Sequence, residues 1–165
     1  MSYINFEKAL ELAKKCEGYY ISGGRDEELI RESEKLLNIK FSKQSKAFYK
    51  KVGYLSFFGE EIYGIYPLSN SGILAGNSVA STLHDREKYN LPENLVVVYH
   101  FGFDGLIGFL DYSQLNENGE PPVVLGFYNG EKWIIEEKLA EDLGDFILEL
   151  AEEALSEQEN GQNQL

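Results

Sequence analysis

At Gly53 the chain changes its period, and that change limits the folds open to it. Before Gly53 apolar residues recur at helical spacing; after it, β-branched and aromatic residues come in short runs broken by turn formers. Residues 4–17 place Ile4, Phe6, Leu10, Leu12 and Ala13 near helical spacing ahead of Gly18, a stop signal. Asp26 is positioned to cap a second helix with a stripe of Leu29, Ile30, Ser33, Leu36 and Leu37, ending near Asn38. Ser42 caps a third through Ala47, Phe48 and Val52, with Lys46, Lys50 and Lys51 towards its negative end and Gly53 just beyond.

From Tyr54 the stretch "VGYLSFFGEEIYGIYPL" (Val52 to Leu68) predicts a strand pair. Asn77 caps a helix over 78–89, which ends before Leu91-Pro92. Leu95 to Phe101 and Leu106 to Tyr112 flank Asp104-Gly105, a strong hairpin signal. Val123 to Tyr128 follows as another strand, and Asn129-Gly130 turns into "EKWII". The last helix is expected from about Glu137 to Ala154, with Leu139, Leu143, Phe146, Ile147, Leu150 and Ala154 inward. The sum is an α+β fold, with N-terminal helices and a C-terminal helix packed on a twisted, mostly antiparallel sheet. One domain over residues 1–155 and a polar, flexible tail over 156–165 are expected.

Charge is spread unevenly. Residues 1–52 carry a net +3, residues 53–130 a net −7 and residues 131–165 a net −9, within a total of −13. So acidic a surface repels phosphate backbones and attracts basic protein partners, which disfavours direct nucleic-acid binding. The N-terminus lacks a signal peptide's apolar core, and no segment approaches the roughly 18 consecutive apolar residues of a membrane span. The single cysteine, Cys16, allows no internal disulfide and no cysteine zinc cluster. A cytoplasmic protein without metal or cofactor is expected.

Chemistry is hard to find in the sequence. Gly53, Gly59 and Gly64 have neither the Lys-Ser/Thr of a phosphate loop nor dinucleotide spacing. Glu60 and Glu61 cannot flank one bond as an acid/base pair, because neighbours in an extended chain point to opposite sides. His84 stands beside Asp85 on a helix, and His100 ends a strand with no nucleophile in an elbow context. What the sequence does supply is aromatics, 11 Tyr and 10 Phe, among scattered acids. Aromatic area with acids to set orientation suits a binding face for a basic partner.

The block "IRESEKLLNIKFSKQSKAFYKKVGYLSFFGEEIYGIYPL" (Ile30 to Leu68) resembles the leading motif of the SUKH superfamily, the SMI/KNR-type domain. Glu34, Leu37, Phe48, Tyr49, Gly53, Tyr63, Gly64 and Ile65 take that motif's places. Leu91-Pro92, "GLIGFLD" (Gly105 to Asp111), Pro122-Val123-Val124, Trp133 and the helix around Phe146 follow in the same order. Where the family has Leu-Pro entering its third helix, this chain has Phe41-Ser42. The resemblance implies an α+β domain without catalytic residues and a bacterial immunity role: neutralising a cognate polymorphic or contact-dependent toxin, commonly a basic nuclease domain. It also leaves room for a regulatory protein-binding scaffold, and an unrecognised hydrolase using His100 is the third possibility.

For an immunity protein, the expected contacts are Glu60, Glu61, Asp104, Asp111, Glu117 and Glu120, with Tyr54, Phe57 and Phe58. The strand-end and loop acids among them are expected to converge on one sheet edge.

Overall fold

The computed structural model describes residues 2–67, 69, 72–102 and 105–163. Among the described residues, five α-helices and seven strands follow in the order α1 (Ser2–Ala13), β1 (Tyr20–Ile21), α2 (Glu27–Leu37), α3 (Lys43–Lys51), β2 (Leu55–Phe57), β3 (Glu60–Ile62), α4 (Ser78–Tyr89), β4 (Leu95–His100), β5 (Ile107–Asp111), β6 (Val123–Tyr128), β7 (Trp133–Ala140) and α5 (Leu143–Asn163). The strands form two antiparallel sheets, ordered β1-β2-β3 and β4-β5-β6-β7. The Tyr63 N–H donates to the Val98 carbonyl at 2.9 Å and ties one sheet to the other.

The helices start where the sequence offers a cap. Asp26 accepts from the Leu29 N–H at 2.9 Å, Ser42 from Ser45 at 3.3 Å and Asn77 from Ala80 at 3.1 Å. Asn38 and Asn90 close α2 and α4 in the left-handed region, at φ of 55° and 54°. The α4 hydroxyls also serve β4, whose register shifts between Val97 and Tyr99. There the Ser78 hydroxyl donates to the Val97 carbonyl at 2.5 Å, and the Val97 N–H donates to Thr82 Oγ1 at 2.9 Å.

The larger core lies between the helices and the Val96, Val98, Leu110 and Val123 face of the sheet. Ala9 and Ala13 of α1 and Ala151 and Ala154 of α5 are buried there, and small residues let the two helices approach closely. Gly144 shows how closely, since a Cβ there would lie 2.8 Å from the Phe6 Cα. The opposite sheet face buries Leu95, Val97, Phe109 and Val124 with Tyr63, Leu91 and Trp133.

Three elements differ from expectation. Residues 137–140, expected to open the last helix, belong to β7, where Glu137, Lys138 and Ala140 pair with Leu125, Val124 and Val123. Helix begins only after Asp142, whose Oδ1 accepts from the Asp145 N–H at 2.9 Å. The segment expected as a flexible tail is helical to Asn163. Gln158 anchors it by accepting from the Glu17 N–H at 2.8 Å and donating to the Lys15 carbonyl at 3.4 Å. Lastly, α1 stops at Ala13, and the two-residue strand β1 pairs with β2 through Tyr20 and Ser56.

Candidate partner-binding edge

The β2–β3 hairpin turns through Phe58 and Gly59, at φ of 49° and 81°. Positive φ at both central residues is what a two-residue turn between twisted strands requires. Glycine adopts it freely, whereas Phe58 is held there by its N–H, which donates to the Glu17 carbonyl at 2.7 Å, and by half-burial against the main core. Leu55, Phe57 and Ile62 point inward and are buried, so the hairpin is a rigid mount.

Glu60 and Glu61 leave this mount in different directions, each toward a tyrosine. The Tyr54 hydroxyl donates to Glu61 Oε1 at 2.5 Å, and the Tyr54 ring lies 6.2 Å from that of exposed Tyr20. The Tyr99 hydroxyl donates to Glu60 Oε2, and its ring packs edge-on against Phe101 at 4.6 Å and Phe146 at 5.3 Å. Burial first and the carboxylate second push both phenols up, so each stays a proton donor and holds its glutamate in one orientation.

Helix α5 brings further negative charge to the Glu60 side. Glu153 lies close enough to Tyr99 to raise its phenol further. Partial burial, then Glu153, Asp145 and Glu152, push the Glu149 carboxyl up. Glu60 and Glu153 thus border Tyr99, which packs on the exposed Phe101, with Glu149 near Glu153, while Glu61 borders Tyr54 and Tyr20.

The remaining expected contacts among the described residues, Glu117, Phe57, Asp111 and Glu120, do not join this edge. Asp104 lies outside the described residues. Glu117 is exposed, but in the loop after β5, at the far end of that strand from Gly108, the partner of Tyr99. Phe57, Asp111 and Glu120 are corrections to the surface expectation, because all three are buried. Asp111 accepts from Asn94 at 2.7 Å, from the Ser113 N–H at 3.0 Å and from Gln114 at 2.8 Å, closing the turn after β5. Burial pushes its carboxyl up, but these donors together outweigh burial and hold it below the usual range. Glu120 accepts from the Gln44 N–H at 2.8 Å and fastens the start of α3 to the β5–β6 loop. Burial raises its carboxyl against the pull of Ser42 and Gln44, and Asp142 adds to the rise.

Alternation of Leu55 and Phe57 already marked Phe57 as inward, and Asp111-Tyr112-Ser113 has the form of a self-satisfied turn. Tyr99, Phe101, Glu149 and Glu153 are the residues missed, because only tertiary packing brings α5 beside the hairpin.

His100 stacks on Tyr63 at 5.2 Å, and partial burial lowers its pKa against the opposing pull of Asp85 and Glu61. Cys16 is buried with its thiol pushed up, which is unfavourable for the thiolate a nucleophile needs. Among the described residues no helix is long and apolar enough to cross a membrane.

The structure is thus an α+β domain with a rigid hairpin and tyrosine-held carboxylates at its rim. The chain matches the SUKH_6 family model, described as SMI1-KNR4 cell-wall, over residues 27–147, and it belongs to the SUKH superfamily. No curated protein matches it. SUKH domains are generally associated with immunity proteins that bind protein toxins and are typically non-enzymatic. The match starts at Glu27, the first residue of α2, and ends at Ile147 early in α5, so α1, β1 and most of α5 lie outside it, and α1 packs on α5.

Proposed function

We propose that this chain is a cytoplasmic immunity protein that binds and neutralises a cognate toxin, a basic nuclease domain, without turnover. The observation that carries the proposal is the pair Glu60 and Glu61, each oriented by a tyrosine at the hairpin edge, with the α5 acids beside Glu60. A nuclease must carry positive charge to hold a phosphodiester backbone. An inhibitor that sets fixed carboxylates against that charge competes with the substrate and is steered to its target, with association up to about 10⁸–10⁹ M⁻¹s⁻¹ at low salt. Fixing the carboxylates beforehand lowers the ordering cost of binding. Exposed Phe101 and Tyr20 supply apolar area beside the two carboxylates.

The test is co-expression with the cognate toxin domain that this reading requires. Wild type restores growth to cells expressing that domain, and Glu60→Lys/Glu61→Lys, folded by circular dichroism, does not. Full protection by the double variant would remove the hairpin edge from the account.

A further inference from the structure

A second surface lies between α2 and α4 and meets the Glu61 side of the hairpin edge at Tyr66. A cleft of about 520 Å³ opens there, walled by Leu36 of α2, Val79 and Leu83 of α4, and Pro67 and Leu74 from the segment joining β3 to α4. Val79 is buried in the main core and Leu83 packs on it, whereas Leu36 is 41% exposed, Leu74 38% and the neighbouring Ile73 59%. Contiguous exposed apolar side chains of this kind mark an interaction site. The cleft continues past Pro67 into a depression along the first turns of α2, lined by Leu29, Asp26, Glu28 and Glu32. Leu29, Glu32 and Leu36 stand at i, i+3 and i+7, so one face of α2 forms the whole wall.

The rim is acidic. Asp26, Glu28, Glu32 and Glu87 line the two depressions, against the single cation Arg25, whose guanidinium lies over the Tyr66 ring at 4.7 Å. The other nearby cations are turned away. Arg86 donates to the Leu37 and Glu93 carbonyls, both at 2.7 Å, and Arg31 and Lys35 line a different depression on the opposite face of α2.

We propose that the α2–α4 trough is a docking site for a basic amphipathic helix of a partner protein. Two helices spaced around an apolar floor accept a third by seating its i, i+4 and i+7 side chains between them. Lysines or arginines flanking that stripe then meet Glu32 on one side and Glu87 on the other. The apolar floor supplies affinity, and the acids fix orientation and reject acidic helices. The proposal stands on the trough's own geometry and does not require the toxin reading.

The test titrates the full chain, with labelled leucine methyls, against a synthetic Leu/Lys helix of about 18 residues, some five turns. Controls are a scrambled peptide of the same composition and a Leu/Glu counterpart. The Leu/Lys helix is expected to shift the Leu36, Leu74 and Leu83 methyls and to bind at least about tenfold tighter than either control, a difference near 1.4 kcal/mol. Leu36→Ser and, separately, Glu32→Lys/Glu87→Lys, with Leu36 and Glu87 exposed and Glu32 half-buried, each weaken that binding by about tenfold, whereas Glu60→Lys, on the Tyr99 side of the hairpin, leaves it unchanged. Shifts elsewhere, equal binding by either control, or full binding by Glu32→Lys/Glu87→Lys would overturn the proposal. So would self-association of the chain that Leu36→Ser abolishes, since the trough would then belong to a second copy.

Discussion

Gly64 packs backbone to backbone on Gly53: a Cβ on Gly64 would lie 2.8 Å from the Gly53 carbonyl carbon and 2.9 Å from the Tyr54 Cα. Gly53 is itself pressed on Gly23, so three glycines from three segments stack where the hairpin leaves the helical layer. The Gly64 N–H donates to Gly76 at 2.9 Å and its carbonyl accepts from the Ser78 N–H at 2.8 Å, which fixes the start of α4 to the same point. Gly64→Ala is therefore expected to destabilise the protein by about 1–3 kcal/mol or more in urea unfolding, because the obstructing atoms are backbone and cannot rotate away. Gly59→Ala, where nothing lies within 4 Å of the added Cβ, should cost only the left-handed strain, roughly 1–2 kcal/mol.

Two of the buried acids, Asp111 and Glu120, should give opposite pH limbs. Asp111 is held below its ordinary value of 3.8, so its stabilisation is present above that pH and lost as pH falls through the depressed folded pKa. Asp111→Asn should remove that acid limb and lower neutral stability by about 1.5–3 kcal/mol, the usual worth of hydrogen bonds to a charged group. Glu120 is raised above its ordinary 4.5, so the folded state binds its proton more tightly and stability falls as pH rises from 4.5 through the raised value. Glu120→Gln keeps an acceptor for the Gln44 N–H and should abolish that fall. Urea melts from acid to neutral pH read both limbs, and an unchanged profile in either variant would contradict its assignment.

Gln158 is the clamp that keeps the end of α5 on the α1–β1 connection. Gln158→Ala should cost about 1 kcal/mol and speed amide exchange over the last turns of α5, leaving the first half protected. Equal exchange along the whole helix would show that the clamp is not what orders it.

Much of the fold was legible because local chemistry and tertiary packing agree at the caps. Asp26, Ser42 and Asn77 were readable as helix starts, and Asn38 as a helix stop, since each acts on backbone groups within four residues of itself. The start of α5 was not, because Leu139 and Leu143 are spaced like a helical stripe while Leu139 sits in β7. Only pairing with β6 decides between them. The candidate site was half legible. Glu60 and Glu61 were visible as a charged turn, but nothing local distinguishes them from Asp111 and Glu120, which partners as distant in sequence as Gln44 hold in the interior. Phe101 and Glu153, in turn, meet the hairpin only through the docking of α5 on the sheet.

The most direct measurement is the stopped-flow association rate with the proposed cognate toxin, a basic nuclease domain, across a range of salt, for wild type and Glu60→Lys/Glu61→Lys. The account predicts a wild-type rate that falls steeply with salt, and a double-variant rate at least about tenfold slower at low salt and nearly flat. Equal rates and equal salt slopes for the two proteins would contradict it.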